Sequence, residues 1–526
     1  MKKLFITIGL ALLVFSLMLI GCSQPGSQTA KPGATSPVAS ATPQPVYGGV
    51  FREVQNTTAF NMGGDPAVVP SPPTYYVPSG ESLFFCDPEG NSTPRLATSW
   101  SFSDDMKSVT FILRKGVKFQ DGTDFNAQAV KYCLDRGIKG AAPGLKAVTS
   151  VDVIDDYTVR VTWPKFDISV FNSLGDLKGP SRIVSPDSLK SHDAVWAATN
   201  TVATGAFKLM SYTKDVSAVY QKFDGYWQKG LPYLDGVQMN IITDPTTALM
   251  SFRSGAQDMI SNLSANNAET LKKEGKYNIV QTPGFSVYLE PSGQAPNSPF
   301  RDVNVRRAVS YCLDSKALAD GLGKGYYIPS NQALPSWSWA YNPDVKGYPF
   351  DPAKAKQLLA AEGYPNGLET KLYYTSGYAT DVFVELQANL KAGGIDAELT
   401  PLSATVISDM TGKSGWEGLM YYQLNSIIGT DPGEALQNTG FINRNAYQIS
   451  VFRSEDVTSL LEQADSIVDV PKRKAMFQKL GKMVIDDYCM VNPIYATKTV
   501  TALAANVHDF GLDQFQPTFD KTWLSK

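Results

Sequence analysis

A chain of 526 residues exceeds what one ordinary core organises, so two or three domains are expected. With 43% hydrophobic and 18% charged residues the composition is globular, and a formal net charge of −3 supplies no basic field for nucleic acid. Only two histidines are present, His192 and His508, which weighs against histidine-based catalysis and histidine metal sites.

Lys2 and Lys3 precede a run from Leu4 to Ile20 that is apolar apart from Thr7, Gly9 and Ser16. A charged start followed by an apolar segment describes an export signal. Its end, Leu19-Ile20-Gly21-Cys22, resembles a bacterial lipobox, in which the cysteine is lipidated and becomes the new first residue. Residues 1–21 therefore read as a signal peptide and Cys22 as the lipidation site. A membrane-spanning anchor is the competing reading, because the run nearly reaches a bilayer's thickness. Both place the body of the protein outside the cytoplasm. Residues 22–46, almost wholly Ser, Gln, Pro, Gly, Thr and Ala after the cysteine, read as a flexible tether.

The folded chain starts at Tyr47 with a glycine turn leading into a strand that includes Val50 to Val54. Val109 to Leu113 is a short apolar strand, Gln120-Asp121-Gly122 supplies turn chemistry, and Asn126 caps a helix carrying Val130, Cys133 and Leu134. Val151 to Trp163 alternates apolar and polar residues on both sides of Asp155-Asp156, which predicts a hairpin with a solvated acidic turn rather than a carboxylate site. Trp100 reads as core rather than as a ligand platform.

The wording of this stretch is more specific than its secondary structure. Leu113-Arg114-x-Gly116-Val117-x-Phe119, then Asp121-Gly122, Phe125, Ala127 and Ala129-Val130, resembles the signature of the large extracytoplasmic solute-binding proteins of ABC importers, the oligopeptide, dipeptide and nickel class. Leu96-Ala97-Thr98-Ser99-Trp100, Gly255-Ala256-Gln257-Asp258 and Pro299 to Tyr311 are similar to further phrases of that family. Val202 to Leu209 resembles another, with Ala203 and Ala206 where the family has glycine and proline.

Further on, Val305, Ala308, Val309 and Cys312 form a helical apolar stripe, with Arg306 and Arg307 assigned to a solvated or ion-paired face rather than to an anion site. Gly321 to Gly325 lacks the frame of a phosphate loop and reads as the close of a helix. Asp351-Pro352 opens a helix that stops at Gly363. Thr370 to Thr375, Tyr378 to Ala392 and Ile395 to Leu399 read as strand, helix and strand, a βαβ crossover that predicts parallel pairing. Two amphipathic helices follow, one with Val457, Leu460, Leu461, Ala464 and Ile467, the other opened by Pro471. Val491 to Val500 leads the chain back towards the first half. Cys86, Cys133, Cys312 and Cys489 show no Cys-x-x-Cys spacing, so no zinc or redox motif is expected, and the last three read as buried thiols.

The resemblance implies a two-lobed, periplasmic-binding-protein-like α/β fold with mixed sheets flanked by helices. Lobe I spans 47–285 with an extra subdomain, lobe II spans 286–495, and 496–526 returns to lobe I. It also implies ligand contacts at Asn56 and Phe60 after the first strand. Trp337 and Trp339, with Tyr341, fall in a proline-bounded loop and are further candidates. Gly418 to Asn425 resembles the cleft strand, making Tyr421, Tyr422 and Asn425 candidates. Peptide-binding members carry an aspartate at the position held here by Asn425, and a neutral amide offers no countercharge for an ammonium group. That favours a neutral or polar ligand, or one bound through other groups. Asp431, in Gly429-Thr430-Asp431-Pro432, matches an Asp-Pro turn and reads as a ligand contact or a structural residue.

No nucleophile elbow, metalloprotease motif, Walker loop or dinucleotide fingerprint occurs. The expected molecule is therefore a receptor without cofactor or metal. Its partners would be a solute such as a peptide, oligosaccharide or chelate, ABC permease subunits, and the membrane through its lipid; it is expected to be a monomer. A secreted or surface-anchored hydrolase is the rival reading.

Overall fold

The computed structural model describes residues 44–68, 72–87, 89–142, 144–175, 182–425, 431–438, 440, 447–511 and 519–526. The expected signal peptide, Cys22 and all but the last residues of the expected tether lie outside the described residues. The fold is contained in the unit Pro45–Lys526.

Its frame is an eleven-stranded mixed sheet. In chain order the strands are β1 (Val50–Gln55), β2 (Phe207–Thr213), β3 (Ser217–Lys222), β4 (Gly236–Ile241), β5 (Met259–Ile260), β6 (Tyr277–Pro291), β7 (Tyr327–Pro329), β8 (Leu368–Thr375), β9 (Ile395–Leu402), β10 (Leu419–Asn425) and β11 (Asn492–Ala504). Their order across the sheet is β9-β8-β10-β6-β11-β5-β1-β4-β3-β2, with β7 against β11. The expected crossover is present: β8 and β9 pair in parallel, joined by the helix Thr380–Ala392, which buries Phe383, Leu386 and Leu390. β1 likewise runs parallel to β4 and β5.

β6 and β11, 15 and 13 residues long, carry the sheet from one half of the molecule into the other. Side chains alternate across the sheet, so neighbouring residues enter different cores. Val287, Leu289, Leu419 and Tyr421 join one cluster with the helices Val303–Cys312, Pro352–Ala361 and Thr380–Ala392. Tyr288, Met420 and Leu424 join another with the helices Glu455–Asp465 and Val470–Lys482. The β6–β11 register shifts between Pro283 and Ser286 and again between Val287 and Tyr288. Pro283 has no N–H to donate. A Cβ on Gly284 would lie 2.6 Å from both the carbonyl and the hydroxyl oxygen of Thr497, so only glycine fits. The lobe boundary expected at 285/286 falls on this irregularity, and the one at 495/496 falls inside β11.

A separate antiparallel sheet, ordered Ala97–Phe102, Ser108–Leu113, Thr158–Thr162 and Ser150–Asp155, packs on the helix Ala127–Lys139. Asn126 Oδ1 accepts from Ala129 N at 3.0 Å, the cap that the sequence predicts. Asp155 accepts from Tyr157 N at 2.8 Å in the expected turn, and Trp100 packs against Phe84 at 5.1 Å. The buried Gln120 amide ties this unit to the main sheet: Nε2 lies 3.0–3.1 Å from the carbonyls of Ser79, Gly205 and Phe207, and Oε1 accepts from Ala203 N.

The structure corrects the reading of Arg306. It is buried, and its guanidinium donates to the carbonyls of Phe300 and Arg301 at 2.8 Å and of Tyr488 at 2.7 Å. A helix with only one apolar stripe faces a loop whose carbonyls need donors, and the arginine supplies them. Cys133, Cys312 and Cys489 are buried thiols, while Cys86 is half-buried.

Candidate ligand-binding site

The three parallel strands β1, β4 and β5 end at one edge of the sheet, and a cavity of about 460 Å³ opens there. Ligands in α/β sheets bind outside the carboxyl ends of such strands. Gln55 and Asn56 extend from β1, Ile242 and Thr243 from β4, and Ser261 and Asn262 from β5. The helices Pro245–Arg253 and Ala265–Glu274 begin at the same rim, capped by Asp244 and Ser264. Thr74, Val77, Phe510 and Phe519 close the remaining sides. Asn262 holds φ at +59°, a left-handed conformation that asparagine tolerates better than most residues and that turns the chain at the cavity lip.

The chemistry of the wall is polar but nearly uncharged. Amides and hydroxyls come from Gln55, Asn56, Thr74, Ser261, Asn262 and Asn267. The single ionisable side chain among the described lining residues is Glu53 of β1, only 2% exposed. Burial pushes its carboxyl up to about 7, opposed by the hydrogen bond that Oε1 accepts from Gln55 Nε2 at 2.6 Å. The cationic neighbour on β1, Arg52, points to the other face and is held by Asp258 through Nη2 at 2.9 Å.

Of the residues expected at the ligand, Asn56 lines this cavity, whereas Phe60 is 74% exposed and lines none of the described cavities. The candidates of the second half do not reach the cavity. Tyr421 is instead a core residue, its ring 5.0 Å from that of Phe383 and its hydroxyl 3.2 Å from that of Tyr495. The reason lies in its position in β10, where Tyr421 faces the helices and Tyr422 the opposite cluster. Tyr422 is half-buried and pairs in register with Tyr288; Asn425 pairs with Phe285 at the strand end. Trp339 packs edge-on against Phe477 at 5.7 Å and meets Gly90, where a Cβ would come within 3.0 Å of its Nε1. Trp337 is half-buried, and its indole Nε1 has no hydrogen-bond partner.

Asp431 is used by the fold rather than left open to a ligand. Its carboxylate forms an ion pair with Arg473, accepts from Gly433 N at 2.8 Å, and accepts from Asn172 Nδ2 at 3.1 Å. The Asp-Pro pair starts the helix Pro432–Asn438, so its carboxylate is turned inward with that helix. Both histidines are held in local structure, His192 stacked on Trp196 and His508 on Trp523. Among the described residues no three His, Cys, Asp or Glu side chains come together as a metal site.

The sequence reading missed Glu53, Asn262 and Phe510. Glu53 had a usable signal: Phe51, Glu53 and Gln55 share one face of β1, so polar atoms were bound to follow an aromatic into the interior.

A mixed sheet divided between two sets of cores, with a polar cavity at a parallel strand edge, is an architecture that suits a solute-binding protein. The model of the bacterial extracellular solute-binding proteins, family 5 middle region, matches residues 91–445, and the chain belongs to that family. Heme-binding protein A of Haemophilus influenzae is 32% identical over 394 residues, covering 69% of this chain and 70% of that protein. Glutathione-binding protein GsiB of Escherichia coli is 29% identical over 446 residues, covering 82% and 85%. The solved structure of the periplasmic binding protein DppA from Helicobacter pylori, in complex with peptide STSA, superposes with a TM-score of 0.75 at 24% identity, covering 91% of this chain and 99% of that one. No helix among the described residues is long and apolar enough to cross a membrane.

Proposed function

We propose that this chain is the receptor of an ABC importer that takes up a peptide-sized polar solute at the carboxyl edge of β1, β4 and β5 and presents it to membrane permeases. The cavity of about 460 Å³ is the observation that carries the reading. β5, whose end forms part of its wall, pairs with β11, one of the two strands shared by both halves. Lobes I (47–285 with 496–526) and II (286–495) close on the ligand by bending near Pro283–Ser286, where the ladder is already interrupted. The named ligands of the relatives, heme, glutathione and a short peptide, set the size class. Lipidation at Cys22 and the tether to residue 46 hold the receptor, as a monomer, at the outer side of the membrane. A cysteine at the end of the leader supports this anchoring, which mass measurement of the mature N-terminus tests directly.

A thermal-shift screen over peptides, oligosaccharides and chelates tests the binding reading. A ligand at one hundred times its Kd stabilises by about 2.7 kcal/mol. Asn56→Ala is expected to weaken the hit found, and Trp337→Ala and Tyr422→Ala test the second wall. Turnover of a compound without stabilisation by any would overturn the receptor reading.

A further inference from the structure

The family resemblance puts Asn425 where peptide-binding members carry an aspartate, yet the cavity at β1, β4 and β5 is not without a carboxyl group. Glu53 stands on β1, in register with Met239 of β4 and Met259 of β5, between two apolar thioethers. One carboxylate oxygen accepts from Gln55; no described group donates to the other, Oε2. Glu53 itself forms part of the cavity wall. The phenols that feel its charge, Tyr75 and Tyr220, direct their protons elsewhere: Tyr75 to the carbonyl of Thr57 at 2.7 Å, Tyr220 to that of Tyr75. Arg52 is committed to Asp258 on the opposite face. A nearly enclosed carboxyl with one oxygen to which no described group donates, in the wall of a cavity whose described lining holds no Lys, Arg or His, lacks a counterion from that lining.

We propose that Glu53 is the anionic recognition point of the cavity and that the solute carried by this chain presents an ammonium or guanidinium group to it. This rests on the reading of the cavity as the ligand site. The amides of Asn56, Asn262 and Asn267 and the hydroxyls of Thr74 and Ser261 then bind the neutral polar remainder of the solute. Anionic solutes are disfavoured at this edge, because a second negative charge would meet Glu53 with no cation to relieve it.

The test uses the full-length protein and two matched probe series: tri- and tetrapeptides containing lysine, and the same peptides with every amine acetylated. The free-amine series is expected to raise the melting temperature and the acetylated series not to. Glu53→Gln, which keeps the side-chain shape and the contact with Gln55, should weaken the free-amine hits at least tenfold in calorimetry. Asn267→Asp adds a charge at the cavity rim, in the first turn of a helix where an acidic residue is favoured, and should tighten the same hits several-fold. With the carboxyl held near 7, affinity for an N-acetylated trimethyl-lysine peptide, whose cationic charge does not titrate, should rise about tenfold from pH 6 to pH 8. In the Glu53→Gln variant that rise disappears. Stabilisation by acetylated or acidic probes alone, or undiminished binding of amines by Glu53→Gln, would overturn the assignment while leaving the receptor reading intact. Stabilisation by neither series but by a neutral oligosaccharide or a chelate would overturn the assignment alone, and stabilisation by none of these would overturn both.

Discussion

Asp431→Ala separates a structural carboxylate from a ligand-binding one. The Asp431 and Arg473 side chains are 5% and 2% exposed, and their ion pair is enclosed by Trp339 and Phe477, whose rings lie 5.7 and 5.2 Å from the guanidinium carbon. Removing the carboxylate leaves a buried guanidinium whose Nε contact to the carbonyl of Ala464, at 3.3 Å, is long. Breaking a buried pair from one side costs about 3–5 kcal/mol. The unfolding entropy of about 2.1 cal/mol/K per residue, over roughly 480 folded residues, gives about 1 kcal/mol per degree, so Tm should fall by about 3–5 °C. Scanning calorimetry on the ligand-free protein measures this. The double variant Asp431→Leu with Arg473→Met removes both charges and should recover most of the loss. If Asp431→Ala melts within about 1 °C of the parent yet loses ligand affinity, the carboxylate belongs to the site and the reasoning fails.

Two other perturbations probe single links of the fold. Asn126→Ala deletes the cap on the helix Ala127–Lys139 and should cost about 1 kcal/mol in urea unfolding, whereas Asn126→Asp should be near neutral; equal losses in both would show that the cap bond is not the cause. Glu290, fully buried on β6 with neither carboxyl oxygen hydrogen-bonded, has its carboxyl raised well above the ordinary range by burial. The native state therefore keeps a proton that the unfolded chain releases above about 4.3, and stability falls as pH rises beyond that value until the folded-state carboxyl ionises. Glu290→Gln should melt close to the parent at pH 4.5 and progressively above it towards pH 8; a gap independent of pH would refute the assignment.

Two stretches of the chain were legible because their signals are local. The strand, turn and capped helix from Ser108 to Lys139 need only neighbouring residues, and the crossover through Thr380–Ala392 announces itself by the glycine stop at Gly393-Gly394. β6 was hidden for the opposite reason. Its fifteen residues include Pro283 and Gly284, both poor strand formers, and pairing with β11 more than two hundred residues later carries the strand across them. Arg306 shows the same limit, since carbonyls of Tyr488 and Cys489 recruit it inward from across the fold. The lining of the candidate cavity was partly legible. Asn56 follows from its place after β1, but Asp431 and Tyr421 carry functional-looking groups that tertiary partners claim first.

The ligand edge and the interrupted ladder belong to one piece of geometry. β5 has only two residues, bonded to β1 on one side and to β11 on the other, so the cavity wall rests on a strand that reaches directly to the connection between the halves. A bend at Pro283–Ser286 disturbs few hydrogen bonds, because proline supplies no donor and Phe285 N is already turned to the Thr497 hydroxyl at 2.9 Å. In the proposed closure, a bend at that point would leave β1 and its Glu53 within the parallel edge while the second lobe approaches. On the proposed reading, the charge of Glu53 on β1 would select the solute's charge and groups of the second lobe its shape. For that reason the residue that decides specificity should be sought on β1 before β10.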